Sequence, residues 1–186
     1  MDLTVIVVLA LCAVVAVWGL IAYNGLVRGR LAVREAWSGI DVQLQRRAEL
    51  VPNLVETVRG YARHESGTIE RVTQARASLQ SAHTPAEATR ANGELTRSLT
   101  SLFAVAESYP DLKASGNFRE LQAALADTEN KLAYARNYYN ALVLRYNGQV
   151  ATVPTSFVAG AFGFEEAAFF EAGADAQAPV RVDFSG

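Results

Sequence analysis

The feature that most constrains this chain is a run of twenty uncharged residues near its start, Leu3–Ala22, which reads LTVIVVLALCAVVAVWGLIA. A helix of that length rises about 30 Å, which matches the hydrocarbon core of a bilayer. Lipid offers no hydrogen-bond partners to the backbone, so a helix is the form in which such a run can cross a membrane. The run therefore predicts a transmembrane helix over residues 1–22.

Two other interpretations of the run were weighed. A cleaved signal peptide has a basic start and a small-x-small cleavage site, but only Met1 and Asp2 precede the run and no such site follows it. A lipoprotein needs a small residue before the modified cysteine, whereas Leu11 precedes Cys12. The residues favour an uncleaved span.

Aromatic and basic residues flank this span on its C-terminal side. Aromatic rings favour the membrane interface, and basic residues favour the cytoplasmic side. Because no basic residue precedes the span, we expect residues 23–186 in the cytoplasm and the N-terminus outside. The arginines could also bind anionic lipid headgroups. The predicted membrane-flanking residues are Trp18, Tyr23, Arg28, Arg30 and Arg34.

Residues 23–150 show sustained apolar stripes at alternating steps of three and four, as packed helices do. One stripe holds Val33, Trp37, Ile40, Leu44, Arg47, Val51, Leu54, Val58 and Tyr61. Pro52 lies in this stripe and should kink its helix near Ala48. Gly25 and Gly29 weaken the join to the span without breaking it. We therefore expect the membrane helix to run straight into the first bundle helix.

Three further helices follow from stripes and caps. One begins near Gly67, and the next starts at a capping box with Thr84 as N-cap and Glu87 at N3. A turn at residues 108–111 ends it, and Asn117 then caps a helix of about 30 residues that stops at Asn147–Gly148. The predicted fold is all-α, with an N-terminal transmembrane helix that continues into an antiparallel bundle of three to four long helices.

Residues 151–186 form a separate tail, acidic by four charges and rich in phenylalanine. We expect it to dock on the bundle, which carries a net charge of +3, or on a neighbouring subunit, and to be disordered from Ala172. Its acidity argues against docking on an anionic membrane surface. The candidate interface residues are Phe157, Phe162, Phe164, Phe169 and Phe170.

Composition excludes several function classes. A net charge of −2 gives no nucleic-acid footprint, and one Cys excludes a disulfide framework. His64–Glu65 lacks the second His of a zinc protease motif, because Thr68 stands there. We expect no catalytic residues, no cofactor, no metal and no nucleic acid.

Polar residues that interrupt the apolar stripes are expected to form a structural network that fixes helix register, although a ligand or proton site is an alternative. Arg47 occupies a core-like position and needs a carboxylate partner. Glu129, in the predicted helix of about 30 residues, is the candidate partner. The predicted network is Arg47, Asn53, Glu56, Glu107, Glu129, Asn130, Arg136 and Asn140.

Several motifs together resemble the LemA family. They include residues 36–47 (AWSGIDVQLQRR), residues 50–58 (LVPNLVETV), residues 107–113 (ESYPDLK) and residues 135–140 (ARNYYN). The resemblance covers about residues 5–172. It implies a bacterial inner-membrane protein with one N-terminal span, a helical bundle and no established enzyme activity. A related MamQ-like branch is associated with building magnetosome membranes.

Of three functions considered, we expect the first, keep the second as the alternative and favour the third least. The first is a non-enzymatic, membrane-organising scaffold that contacts the lipid bilayer and forms a homo-oligomer or binds a membrane protein partner. The second is an accessory subunit that presents partners to a membrane protease or transporter. The third is a hydrolase whose site has no recognised motif.

Overall fold

The structure is a computed structural model that describes residues 2–62 and 64–171. Within these residues it is all-α, with no strand. The predicted fold class is therefore confirmed. The six helices are α1 (Leu3–Tyr61), α2 (Ser66–Gln80), α3 (Pro85–Glu107), α4 (Pro110–Ala114), α5 (Gly116–Ala151) and α6 (Thr155–Phe162).

Helix α1 joins the apolar run to the bundle without a break over 59 residues. Its N-terminal part is long and apolar enough to cross a membrane, and none of its most apolar stretch is buried. Burial begins at Leu26 and then follows one face of the helix. The expectation of one continuous helix is confirmed, and α1 also continues through Pro52.

The described chain divides into two compact units, and both long helices contribute to each. The first unit contains residues 2–38 and 138–168. In it α1 and α5 are antiparallel, because Gly29 lies against Tyr146 whereas Trp37, further along α1, lies against the earlier Tyr139. The rings of Trp37 and Tyr139 meet edge-on with 5.5 Å between centroids.

The second unit contains residues 39–62, 64–137 and 169–171 of the described chain. Its core is built from the stripes that the sequence predicts, with side chains such as Ile40, Val72, Leu95 and Leu132 almost wholly buried. These stripes are continuous because residues three and four apart share a helix face. Tyr61 is an exception: it ends the first stripe and is 48% exposed.

Two boundaries of α5 and two short helices differ from the sequence prediction. Asn117 lies inside α5 instead of capping it, and α5 continues to Ala151, past the expected stop at Asn147–Gly148. The stop fails because Gly148 stays helical; the positive φ that ends a helix occurs later, at Gly163 after α6. Helices α4 and α6 were not expected, since both are too short to show a periodic stripe.

The N-terminus of α3 matches its prediction in detail. The Thr84 side chain accepts a hydrogen bond from the Glu87 backbone N–H, and the Glu87 carboxylate accepts one from the Thr84 N–H. The His83 N–H donates to the same carboxylate at 2.9 Å. These bonds hold the pKa of Glu87 below its usual range.

Candidate functional site

The most buried charged side chain in the described residues is Arg47, 5% exposed on the core face of α1. Its guanidinium donates to Asn92 Oδ1 at 2.6 Å and to Thr96 Oγ1 at 3.0 Å, both on α3. Glu129 of α5 places a carboxylate oxygen 2.8 Å from Arg47 Nη1. The expected partner of Arg47 is therefore the one the structure places beside it, and the cation joins three helices of the second unit.

The electrostatics of this cluster are those of a buried cation with one counter-charge. Burial lowers the pKa of Arg47, and the nearby Glu129 carboxylate opposes that change. The Glu129 side chain is 45% exposed, so water also solvates it. A chemistry that needs a free, titrating group has no support here, because the guanidinium stays fully charged near neutral pH.

The other expected network residues do not gather around Arg47. Asn53, Glu107 and Asn130 are exposed, and Glu56 pairs with Arg59 on its own helix at 2.7 Å. Arg136 and Asn140 are half-buried on α5. The structure thus brings together Arg47 and Glu129 of the eight, and adds Asn92 and Thr96.

A second arginine, the half-buried Arg76 of α2, contacts α1 where Pro52 interrupts its hydrogen bonding. Proline has no N–H, so the carbonyl four residues earlier, that of Ala48, lacks its helical donor. Arg76 of α2 supplies one through its Nε at 2.8 Å.

In the first unit, an aromatic cluster surrounds the end of the apolar run. The ring of Tyr23 lies 5.0 Å from that of Phe162 and 5.6 Å from that of Phe164, both edge-on. The Arg30 guanidinium lies 4.4 Å above the Phe164 ring, a cation–π distance. Two expected membrane-flanking residues, Tyr23 and Arg30, therefore contact the tail. Of the others, Trp18, Arg28 and Arg34 are exposed.

The tail is also fastened to α5 by its backbone. Asn147 donates to the carbonyl of Ala167 at 2.9 Å and accepts from its N–H at 2.8 Å. The Tyr139 hydroxyl donates to the carbonyl of Ala168 at 2.7 Å, and burial raises the pKa of that hydroxyl. We call Asn147, Tyr139 and the bound residues Ala167 and Ala168 the tail clamp.

The candidate interface phenylalanines separate into two groups. Phe164 and Phe170 are 5% and 1% exposed, so this chain itself covers them. Phe157, Phe162 and Phe169 remain exposed by 72%, 63% and 42%. The expectation of disorder from Ala172 falls outside the described residues.

Close helix approach shapes a pocket in the first unit. A Cβ added at Gly29 would lie 3.0 Å from Cδ2 of Tyr146 and 3.1 Å from Oε1 of Gln149. The neighbouring pocket, of about 340 Å³, has Arg28 and Arg145 at its rim. In the second unit a wider cleft of about 850 Å³ lies between α1 and α2, with Glu56, Arg59 and Glu70 in its lining.

Comparison with protein families gives one decisive match. The model of the LemA family matches residues 36–184, most of the chain. The chain belongs to the LemA family. The match contains the residues of the Arg47 cluster and the tail clamp, and it begins after the apolar run.

Named relatives agree with this assignment. Protein LemA of Metamycoplasma hominis is 26% identical over 153 residues, which are 80% of this chain and 68% of that protein. Magnetosome protein MamQ 2 of Paramagnetospirillum magneticum is 30% identical over 81 residues, 44% of this chain. MamQ of Magnetospirillum gryphiswaldense is 28% identical over 80 residues. The aligned segments span only about 30% of the MamQ proteins' own length.

The matched family and relatives carry names that denote no enzyme. Among the described residues, no group of three or more His, Cys, Asp or Glu side chains is arranged to hold a metal ion. In the described part of this LemA family chain, the best-defined polar contacts are those of the Arg47 cluster and the tail clamp.

Sequence reasoning missed Asn147 as a binding residue, because it treated Asn147–Gly148 as a helix stop. A usable signal was its place beside Tyr146 on the buried face of α5, where a polar side chain needs a partner. Asn92 and Thr96 were likewise not expected as partners of Arg47. A donor for the Ala48 carbonyl could have been sought as soon as Pro52 was placed inside a helix.

Proposed function

We propose that this protein is a non-enzymatic, single-pass membrane scaffold that acts by binding copies of itself or a membrane protein partner. One observation carries the proposal: α1 is a single helix of 59 residues that is apolar and uncovered at its start and packed from Leu26 onward. A membrane helix that continues without a break into a packed helix ties that helix directly to the bilayer. Such an arrangement suits positioning of other molecules.

The proposed location is the bacterial inner membrane, with the bundle in the cytoplasm. Arg28, Arg30 and Arg34 follow the span, and basic residues next to a short span favour the cytoplasmic side. The test uses Glu94→Cys, exposed on α3, in a Cys12→Ala background. An impermeant maleimide should label it in inverted vesicles and not in intact spheroplasts; the reverse pattern would reject the orientation.

Self-association is tested by measuring the mass of the full-length protein in mild detergent by light scattering, followed by negative-stain imaging. The expected result is a discrete or filamentous assembly of several copies. Phe169→Ser removes an exposed tail aromatic and should reduce the assembly, whereas Val42→Ser, at another exposed site on α1, should leave it unchanged. A monomer in detergent and again in lipid would contradict self-association.

A second candidate is an accessory subunit for a membrane protease or transporter. The cleft between α1 and α2 favours this candidate. It has a volume of about 850 Å³, is lined by acidic and basic side chains and could receive a peptide segment. A monomeric chain that co-purifies from its own membranes with one membrane enzyme in fixed ratio would support this candidate. Loss of that enzyme in Glu70→Arg, with the fold intact, would place the contact at the cleft.

A further inference from the structure

Helix α6 and its flanks form an uncharged segment far from the apolar run in sequence. From Tyr146 to Phe164 the chain has nineteen consecutive residues without a charge, between Arg145 and Glu165. The tail's acidic residues all follow this segment. The argument that acidity keeps the tail from a membrane therefore does not apply to α6.

Three large apolar side chains of this segment are left uncovered by the rest of the described chain. Val153, Phe157 and Phe162 are exposed by 73%, 72% and 63%. Exposed Phe and Val side chains keep apolar area in contact with water, and removing that area from water lowers the free energy. A covering partner is therefore expected.

Contacts within the first unit place this tip beside the end of the membrane run. Helix α5 packs against Gly29 of α1 through Tyr146 and Gln149. Helix α6 then ends at Phe162, whose ring contacts that of Tyr23. The chain that follows α6 returns to α5, where Ala167 binds Asn147. Helix α6 is thus the turning point between α5 and the returning tail. It lies on the side of α5 nearest the apolar run.

The depth of this turning point follows from helix geometry. Tyr23 directly follows the twenty-residue run, so it lies at the boundary of the hydrocarbon core when the run spans it. Gly29 lies six residues further, which is about 9 Å along the helix. The headgroup layer begins at this boundary, and amphipathic helices lie there with their apolar face toward the acyl chains.

We propose that α6, with Val153 just before it, is a second membrane-contacting element, which lies in the headgroup layer beside the span, packs Phe162 against Tyr23 and inserts Val153 and Phe157 toward the acyl chains. The occupant of this surface is the lipid bilayer. Arg30, held over the Phe164 ring, and the exposed Arg28 lie at the level of lipid phosphates. The proposal rests on the proposed membrane anchor and adds a second point of attachment that fixes the bundle's orientation.

The test measures the surroundings of single labelled cysteines in the full-length protein. Phe157→Cys and Val153→Cys are made separately in a Cys12→Ala background, labelled with the environment-sensitive dye NBD and reconstituted in vesicles of phosphatidylethanolamine and phosphatidylglycerol. Val14→Cys reports on the span, and Glu94→Cys, exposed on α3, reports on water. Spin-labelled lipid chains are added as quenchers.

The labels at Val153 and Phe157, here called the α6 labels, are expected to emit at shorter wavelength than the Glu94 label and to be quenched by chain-labelled lipid, as the Val14 label is. Emission like that of the Glu94 label would overturn the inference. Short-wavelength emission without lipid quenching would also overturn it, in favour of a second copy covering α6. If the Val14 label is not quenched, the anchor itself fails; if only the α6 labels are not, the anchor stands and this inference falls.

Discussion

Arg76 Nε donates a 2.8 Å hydrogen bond to the carbonyl oxygen of Ala48, on a neighbouring helix 28 residues earlier. That carbonyl is the acceptor which Pro52 deprives of its helical N–H. The proline and the arginine therefore act together. Pro52 leaves the Ala48 carbonyl of α1 without its helical donor, and Arg76 of α2 donates to that carbonyl.

Replacing Arg76 by Met should destabilise the protein by about 1–3 kcal/mol, because the Ala48 carbonyl loses its donor. In a Pro52→Ala background, the backbone N–H of residue 52 can satisfy the same carbonyl, so the effect of Arg76→Met should shrink. Thermal unfolding by circular dichroism in detergent measures the four proteins of this double-mutant cycle. Arg90→Met, at an exposed position of α3, is the control. Equal effects of Arg76→Met in both backgrounds would contradict the coupling.

Glu129→Gln should destabilise the second unit because it leaves the buried Arg47 without its counter-charge. Breaking a fully buried pair costs about 3–5 kcal/mol. We expect a smaller loss, about 1–3 kcal/mol, since Glu129 is 45% exposed and solvated in part. Adding Glu129→Gln to Arg47→Met should cost almost nothing more. Glu120→Gln, an exposed residue of the same helix, is the control. A stable, correctly assembled Arg47→Leu protein would contradict the requirement for this pair.

Asn147→Leu should release the tail from α5 while the helices stay folded. The change removes both hydrogen bonds to Ala167, each worth about 0.5–1.5 kcal/mol. Hydrogen exchange should become faster at residues 164–170 by about tenfold or more, since 1.4 kcal/mol is one factor of ten. Tyr139→Phe, which removes the bond to Ala168, should give a smaller increase. Asn137→Leu, exposed on α5, should change nothing; unchanged exchange in Asn147→Leu would reject the clamp.

Gly29 should tolerate a side chain less well than Gly39, although both lie in α1. An alanine in a helix is favoured over glycine by about 1 kcal/mol, and a Cβ at Gly39 meets no atom within 4 Å. Gly39→Ala should therefore raise the unfolding temperature. Gly29→Ala should raise it less or lower it, and Gly29→Leu should lower it clearly, because Tyr146 and Gln149 occupy the space. Equal gains for the two alanine variants would show that the helices separate easily at Gly29.

The capping box at α3 predicts a defined pH dependence. The backbone N–H groups of His83 and Thr84 lower the pKa of Glu87, so its stabilising contribution is present above the ordinary Glu pKa of about 4.3 and is lost as the pH falls through the lower, folded value. The difference in unfolding temperature between the native protein and Glu87→Gln should therefore be largest near neutral pH and vanish in acid. A constant difference across the range would assign the effect to packing instead of charge.

Much of the fold could be predicted because it depends on local spacing. In the apolar run, the stripe from Val33 to Val58 and the Thr84–Glu87 box, each residue is related to the next by about one helical turn or less. Such patterns are fixed by 3.6 residues per turn and need no knowledge of the rest of the chain. The pairing of Arg47 with Glu129 was also predictable, since a buried cation needs a carboxylate and few stripes offered one.

The tertiary structure alone decided which distant groups meet. Asn147 finds Ala167, Arg76 finds Ala48, and Phe162 finds Tyr23 over separations of 20, 28 and more than a hundred residues. Each contact depends on where the chain returns after a turn, and a hydrogen bond forms only within a few tenths of an ångström of its preferred distance. The sequence alone determined that this chain makes long helices with buried faces and a membrane-length start. Only the packed chain determined that its tail folds back along α5 and that α6 comes to lie at the end of the apolar run.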